Sequence, residues 1–406
     1  MIILVINCGS SSIKYQILDM KSDTDYTLKA KGIVEKISLP DSNIEHKPTG
    51  KEKMRKYTPV PDHKVGMKLV LDTLVDPVCG VLKSFDEIDA VGHRIAQGAD
   101  FFSKSELVDE DVMEKIGICC DFAPLHNPAH ILGIRAMQAA LPNVPQVVTF
   151  DTAFHQTMEP KAFMYALPRE YYDKYRIRRY GFHGTSHLYV SHRGAEFAGL
   201  DINNSRIITC HIGNGSSVTA VKNGKCVDTS MGLTPLEGMI MGTRCGTIDA
   251  SIVPYIMKKE GLTPDQVTDI MNKKSGFLGL SGGKTSDCRD MCDLRAQGDE
   301  DAKLVLDKLV LDITKLAGQF VAEMGGVDLI VFTAGIAENN AWLRRDVSKN
   351  FEFLGVDFDE AYNDTVRGVE AMLTKPGSKI KVALIPTEEE LMIARDTMHI
   401  AQQLKK

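Results

Sequence analysis

Two short segments far apart in the chain share one design. Ile6-Asn7-Cys8-Gly9-Ser10-Ser11-Ser12-Ile13 and Ile212-Gly213-Asn214-Gly215-Ser216-Ser217-Val218 each join two β-type runs through a turn of glycine and paired serines. Small side chains let the backbone reverse tightly and leave its N–H groups open to an anion. A hairpin is predicted at the first: a strand over Ile2 to Ile6, the turn, then an alternating strand over Ile13 to Leu18. The second is predicted after the strand Arg206 to His211. One duplicated fold would produce this echo, and so would chance in a chain with 33 glycines. A third glycine turn, Thr333-Ala334-Gly335-Ile336-Ala337-Glu338-Asn339, follows the strand Leu329 to Phe332 and opens a helix.

Chemically capable residues gather where apolar runs stop. Glu87 to Arg94, Gln146 to Asp151 and Arg206 to His211 each close a hydrophobic stretch, and open α/β sheets bind ligands outside the carboxyl ends of their strands. Residues 301–324 place Leu304, Leu309, Ile313, Leu316 and Phe320 at helical spacing before Gly325-Gly326. Residues 40–64 are polar and proline-bearing, which predicts a surface excursion. Thr387 with Glu390 three residues on predicts a capping box that opens a C-terminal helix.

Composition narrows the class. At 406 residues, 25% charged and 43% hydrophobic, the chain is globular and long enough for two or three domains. Its net charge of −6 excludes a broadly basic surface for nucleic acid. The apolar start, Met1 to Ile6, lacks a basic leader and meets Asn7 at once, so it reads as a strand rather than a signal or membrane segment. Nine scattered cysteines form no paired CxxC blocks, which fits a reducing cytoplasm.

The glycine turns beside Lys14 suit a nucleotide's phosphates. Gly279 to Thr285 only superficially resembles a P-loop, because the required first glycine falls on Leu278. Arg94 and Arg244 each stand among glycines, where a planar guanidinium can clamp an anion. His126/His130 and His183/His187 have the i, i+4 spacing of metal ligands, but neither pair carries the glutamate of H-E-x-x-H, and a zinc hydrolase is set aside. Arg169 to Arg179, interleaved with tyrosines, reads as a snorkelled helix face leading to His183. Glu388 and Glu389 are not needed for capping and leave spare carboxylates of the kind that hold Mg²⁺ beside phosphate oxygens.

These motifs, Asn7 to Lys14, Gly181 to His187, His211 to Ser217, Gly242 to Arg244 and Thr387 to Glu390, resemble those of the acetate kinase family in order and spacing, from residue 1 to about 400. The resemblance implies an α/β fold of two duplicated ribonuclease H-like, actin-like ATPase domains, with mixed sheets, flanking helices and an active site in the interdomain cleft. It implies residues 1–150 plus about 387–406 as one domain, and 151–386 as a nucleotide-binding domain with the dimer interface. The implied reaction is reversible transfer from ATP to acetate, giving ADP and acetyl phosphate, with Mg²⁺ or Mn²⁺, in a cytoplasmic homodimer with no nucleic-acid or membrane partner. Carried over by motif, Asn7 and Glu389 are metal-site residues, Lys14 a phosphate contact, Arg94 the carboxylate anchor, and Asp151, His183 and Arg244 catalytic. His211, Ile212, Gly213, Asn214, Gly215, Asp287, Cys288, Arg289, Gly335, Ile336, Ala337, Glu338 and Asn339 make up the nucleotide segments.

A carboxylate acceptor is already ionised near neutrality, so it needs charge neutralisation more than a base. Asp151 is therefore expected to orient an arginine or a metal-bound water. Ala96 stands where the family commonly has valine, and with Leu125, Phe182 and Pro235 as the other walls of the methyl pocket it predicts some tolerance of propionate. Glu388 replaces a usual asparagine and is expected to add a carboxylate near the metal, and Ala337 replaces a common glycine. A propionate-preferring kinase and an actin- or chaperone-like ATP-binding module are the alternatives.

Overall fold

Both glycine-serine turns close antiparallel hairpins. In the computed structural model, which describes residues 1–124 and 126–404, β1 (Ile2–Cys8) pairs with β2 (Ser12–Met20) so that Asn7 faces Lys14 across the turn. The described residues divide into two units, Met1–Ala153 with Glu388–Lys406, and Phe154–Thr387.

The first unit continues with β3 (Tyr26–Glu35), β4 (Asn43–Pro48), β5 (Met54–Tyr57), β6 (Ala90–Ile95), β7 (Glu106–Leu107) and β8 (Gln146–Phe150). Among the described residues its sheet has the order β5-β4-β3-β2-β1-β6-β8-β7. The strands β1, β6 and β8 are parallel neighbours, so their carboxyl ends share one edge. The helix Asn127–Ala140 packs on β1 and β6, and the C-terminal helix Glu389–Leu404 lies against β6, β1, β8 and β2. Gly92 in β6 permits that crossing: a Cβ there would stand 2.4 Å from Thr397 Oγ1 and 2.7 Å from the Ile393 side chain.

The second unit contains β9 (Arg206–Ile212), β10 (Ser216–Lys222), β11 (Lys225–Thr229), β12 (Leu329–Thr333), β13 (Ala371–Met372) and β14 (Lys381–Leu384), in the order β11-β10-β9-β12-β14-β13. Its first hairpin pair is antiparallel and β9, β12 and β14 are parallel. The first unit holds the same succession: third, second and first strands of the unit, two parallel strands, then a two-residue antiparallel edge. The echo in sequence is thus one topology used twice. The long helix Glu300–Met324 starts where Asp299 accepts the Ala302 N–H and ends at Gly325, φ +75°. It buries Val305, Leu306, Leu309, Ile313 and Phe320 in the core beside β9, β10 and β12, each contributing about 1.5–3 kcal/mol of transfer free energy.

Several expectations are corrected. Residues 40–64 are not an excursion, because β4 and β5 extend the first sheet. Their pattern is disguised by His46, whose Nδ1 meets the buried Tyr15 hydroxyl at 2.7 Å. The C-terminal helix begins at Glu389, and the Thr387 hydroxyl is buried without a hydrogen-bond partner, so it does not cap. The Thr387 N–H instead donates to Glu338 Oε1 at 3.3 Å. The helix Arg169–Tyr175 stops at Arg176, φ +55°, leaving Arg178 stacked 3.6 Å over the Phe163 ring and Arg179 bound to Glu237, rather than one continuous face.

Candidate active site

In the first unit, chain order on the sheet decides which side chains meet. Ile6 pairs with His93, and Arg94 with Thr149, so Asn7, Arg94 and Asp151 leave three adjacent strands at one edge. Arg94 donates Nε to Asp151 Oδ1 at 2.9 Å and Nη2 to Oδ2 at 2.6 Å, with Nη1 3.4 Å from Asn7 Oδ1. Burial opposes the Arg94 charge, but the Asp151 carboxylate more than offsets it and holds the guanidinium's pKa above its usual value. Glu389 opens the C-terminal helix beside these groups. Withdrawal from water pushes its carboxyl up to about 7, against the lowering fields of Arg94 and Lys14.

Ala96 sits on the loop after β6, buried, with its N–H donating to His130 Nδ1 at 3.3 Å. Burial, and Arg94 nearby, push His130 down to about 3, so it is a neutral acceptor. Asn127 clamps Gln97 from both sides, N–H to Oδ1 at 3.2 Å and Nδ2 to the carbonyl at 2.8 Å. Leu125 lies outside the described residues. Glu388 accepts from the Tyr26 hydroxyl at 2.9 Å on the surface, so its replacement of asparagine does not place another carboxylate against Arg94.

In the second unit His183, ahead of β9, and Arg244, beyond β11, converge on Gly215 in the turn between β9 and β10. A Cβ there would lie 3.4 Å from His183 Nε2 and 3.5 Å from Arg244 Nη1. The absent side chain leaves a space that two donors face. His183 adopts φ +55°, a left-handed conformation rare outside glycine, at the position preceding the helix Gly184–Phe197. Its ring stacks on His211 at 4.1 Å between centroids, while Ser186 Oγ bonds His211 Nδ1 at 2.8 Å. Arg244 is anchored by Nη1 donating to the Pro235 carbonyl at 3.2 Å, and its pKa is lowered by burial. Phe182 packs with Met231 and Met241. Thus Phe182 and Pro235 belong to the second unit and Ala96 to the first.

Behind His183 runs a chain that sequence reasoning missed. His183 Nδ1 meets Ser217 Oγ at 2.8 Å, Ser217 meets His187 Nε2 at 2.7 Å, and His187 Nδ1 meets Thr209 Oγ1 at 2.7 Å. His187 is fully buried and its pKa is driven well down by that burial, with His155 and His211 adding to the effect. The i, i+4 spacing of His183 and His187, weighed above as a metal signal, instead lets both rings reach one serine.

Of the segments expected to take the nucleotide, those at His211 and Gly335 meet, and the one at Asp287 is ordered locally. Thr333 pairs with His211, and the Ala334 Cβ lies 3.7 Å from the point a Gly213 side chain would occupy. Glu338 accepts the Ala334 N–H at 2.8 Å, and Asn339 Nδ2 donates to the Gly335 carbonyl at 2.8 Å. Asp287 caps the helix Cys288–Ala296, accepting the Arg289 N–H at 2.7 Å and pairing with its guanidinium at 2.8 Å. The fully buried Arg344, unnoticed in the sequence, donates to the carbonyls of Ala337 and Val366 at 2.7 and 2.9 Å and fixes the end of the Gly335 turn.

Comparison with known proteins identifies the family. The sequence profile of the Acetokinase family matches residues 2–395. An acetate kinase of Thermotoga maritima is 53% identical over 403 residues, 99% of both chains. The crystal structure of Porphyromonas gingivalis acetate kinase superposes with a TM-score of 0.93 at 45% identity, covering 98% of this chain and 99% of the other. A propionate kinase from Francisella tularensis superposes with a TM-score of 0.90 at 40% identity, covering 98% and 99%.

Proposed function

The chain belongs to the acetokinase family of carboxyl-acceptor phosphotransferases, and from that premise we propose how its residues transfer a phosphoryl group between ATP and acetate. The observation that carries the reading is the space at Gly215, faced by His183 Nε2 and Arg244 Nη1. A transferring phosphoryl group spreads charge over three oxygens, and fixed donors aimed at such oxygens stabilise it. The buried, neutral His187 has one ring hydrogen. Given to Ser217, it leaves the serine proton for His183 Nδ1, so His183 presents Nε2–H toward that space. Arg244 supplies a partly desolvated positive charge beside it.

Arg94 anchors the acid. With Nε and Nη2 committed to Asp151, the guanidinium cannot rotate, and its remaining N–H donors are directed by the protein. Asp151 is thereby the group that orients Arg94, and an acetate already ionised needs no proton removed. A carboxylate oxygen attacks the γ-phosphorus, an O–P bond forms, the bond to the β-bridging oxygen breaks, and ADP leaves.

Asn7 and Glu389 fit a Mg²⁺ site: they offer hard oxygen donors, and the Glu389 carboxyl, half-buried and held near 7, is an acid whose ionised form a cation would favour. These two residues would hold the ion, which would supply positive charge to neutralise the transferring phosphoryl group. Lys14, opposite Asn7 in the hairpin, would contact phosphate. The Asp287–Arg289 and Gly335–Asn339 segments take the nucleoside. We further propose a homodimer, measurable as twice the chain mass by light scattering.

The acid is tested by ADP release from Mg²⁺ATP with formate, acetate, propionate and butyrate. Acetate should give the highest kcat/KM, and no stimulation by any acid defeats the reading. The small Ala96 beside Arg94 favours appreciable turnover of propionate as well.

A further inference from the structure

Cys288 and Cys292 occupy successive turns of one helix, directly after the Asp287 cap. The Cys288 thiol is buried, and Cys292, one turn further along the same helix, is half-buried. Cys292 Sγ also lies 3.9 Å from Asn340 Oδ1, immediately after the Gly335–Asn339 turn. Asn340 accepts from Trp342 Nε1 at 3.1 Å, and the Arg295 guanidinium covers the Trp342 ring at 4.3 Å. One thiol pair therefore starts within the Asp287–Arg289 segment, meets the residue that follows the Gly335–Asn339 segment, and has a cation beside it.

We propose that Cys292 and Cys288 form a peroxide-sensitive dithiol, in which Cys292 is the attacking thiol and Cys288 the resolving one, and that their disulfide weakens nucleotide binding. The second part rests on the assignment of Asp287–Arg289 and Gly335–Asn339 to the nucleotide. Hydrogen peroxide is the oxidant. The Cys292 thiolate attacks a peroxide oxygen, an S–O bond forms as the O–O bond breaks, and the hydroxide released is protonated to water. Cys288 loses its proton and attacks the Cys292 sulfur; the S–S bond forms, and the sulfenic oxygen leaves as hydroxide and becomes a second water on taking that proton. The two sulfurs give up two electrons and the peroxide takes them.

The environment supports this order. The hydrogen bond from Cys288, with Arg295 nearby, brings Cys292 down to about 7, while Cys288 itself is pushed far up by the same bond and by burial. Helix geometry supplies the consequence. Residues at i, i+4 have Cβ atoms about 5–6 Å apart, whereas a disulfide needs about 3.5–4.5 Å, so closing the bond must distort the first turn. That turn carries Asp287 and Arg289. The strain also makes the bond easily reduced.

The test uses the full-length protein, treated with hydrogen peroxide and then alkylated. Trypsin cuts after Arg289 and separates the two cysteines, so the disulfide appears as the linked peptides 285–289 and 290–295. The expected result is that linked pair, together with a rise of about tenfold in KM for ATP, the change a loss of ~1.4 kcal/mol would give. Dithiothreitol should reverse both, and Cys292→Ser should retain basal activity and resist peroxide. Absence of the linked peptides overturns the dithiol, as does equal peroxide inactivation of Cys292→Ser. Linked peptides with an unmoved KM overturn the coupling and the nucleotide assignment of Asp287–Arg289, but not the thiol chemistry.

Discussion

Asp151→Asn keeps the side chain's volume and removes the charge that holds Arg94. Two hydrogen bonds, of 2.9 and 2.6 Å, join the pair, and Asp151 is almost wholly buried. With charge centres about 4 Å apart and an effective dielectric constant of about 20, their attraction is about 4 kcal/mol. Removing one partner of a buried pair costs about 3–5 kcal/mol, because the other charge stays desolvated. The two figures agree. An amide accepts from one guanidinium nitrogen and turns its own N–H₂ toward the other, so Arg94 is held at one point and can rotate. In a unit of this size the stability loss should lower Tm on the order of 10 °C. A misdirected anchor should raise KM for acetate by about 100-fold, with a smaller fall in kcat, because the attacking carboxylate is already ionised. Initial rates across acetate concentrations at saturating Mg²⁺ATP, with calorimetry on the same preparation, give both numbers. A large fall in kcat with an unchanged acetate KM would refute the orienting role and place Asp151 in the chemical step. Unchanged kcat and KM would show that its charge is dispensable.

Four further outcomes follow from the geometry. Gly215→Ala puts a methyl at ordinary contact distance from His183 and Arg244, so Tm should hold while kcat falls at least about tenfold through the filled space, as steady-state kinetics on the folded variant will show. Ser217→Ala strips both His183 and His187 of a partner and should cost about 1–3 kcal/mol of stability, with kcat and kcat/KM falling together if the donor acts in the transition state. Ala96→Val should lower the propionate-to-acetate ratio of kcat/KM by about tenfold, the value of roughly one methylene of fit; an unchanged ratio removes Ala96 from the acid pocket. Burial lowers His93 to about 4 and His130 to about 3 in the folded chain, against about 6.5 unfolded. The unfolded state thus binds protons first as pH falls, so this stability is complete above about 6.5 and is lost downward through 4, about 3 kcal/mol for His93 alone. Calorimetry between pH 7 and 4.5 should show a steep fall, flattened by His93→Gln.

The sequence made some parts of this molecule readable and hid others for identifiable reasons. Tight turns were legible because only glycine and serine satisfy them, and the helix ending at Gly325 because its apolar period runs for many turns. The strands β4 and β5 were obscured because their outward residues are charged and their inward positions include His46 and Pro48 in place of aliphatics. Thr387 carries a capping signature, but the backbone it would serve is turned toward Glu338, a choice made by a contact distant in sequence. Arg94 and Asp151 were each visible at a strand end; that they grip one another follows from strand order, which no local pattern encodes. The hydroxyl of Ser217 and the guanidinium of Arg344 were hidden for the same reason, since their partners come from other elements.

The C-terminal helix has a consequence for how the chain is made. A ribosome delivers β1 and β6 early, yet the side chains that cover their outer face, Ile393 and Thr397 among them, arrive last. At about 5–20 residues per second, the first sheet waits for most of the time of synthesis with that apolar surface wet. Every strand of the second sheet, by contrast, has emerged before Glu389. The order of completion is therefore the reverse of the order of translation, and a chain broken off just before its final helix leaves an intact second unit tethered to an unfinished, aggregation-prone first one.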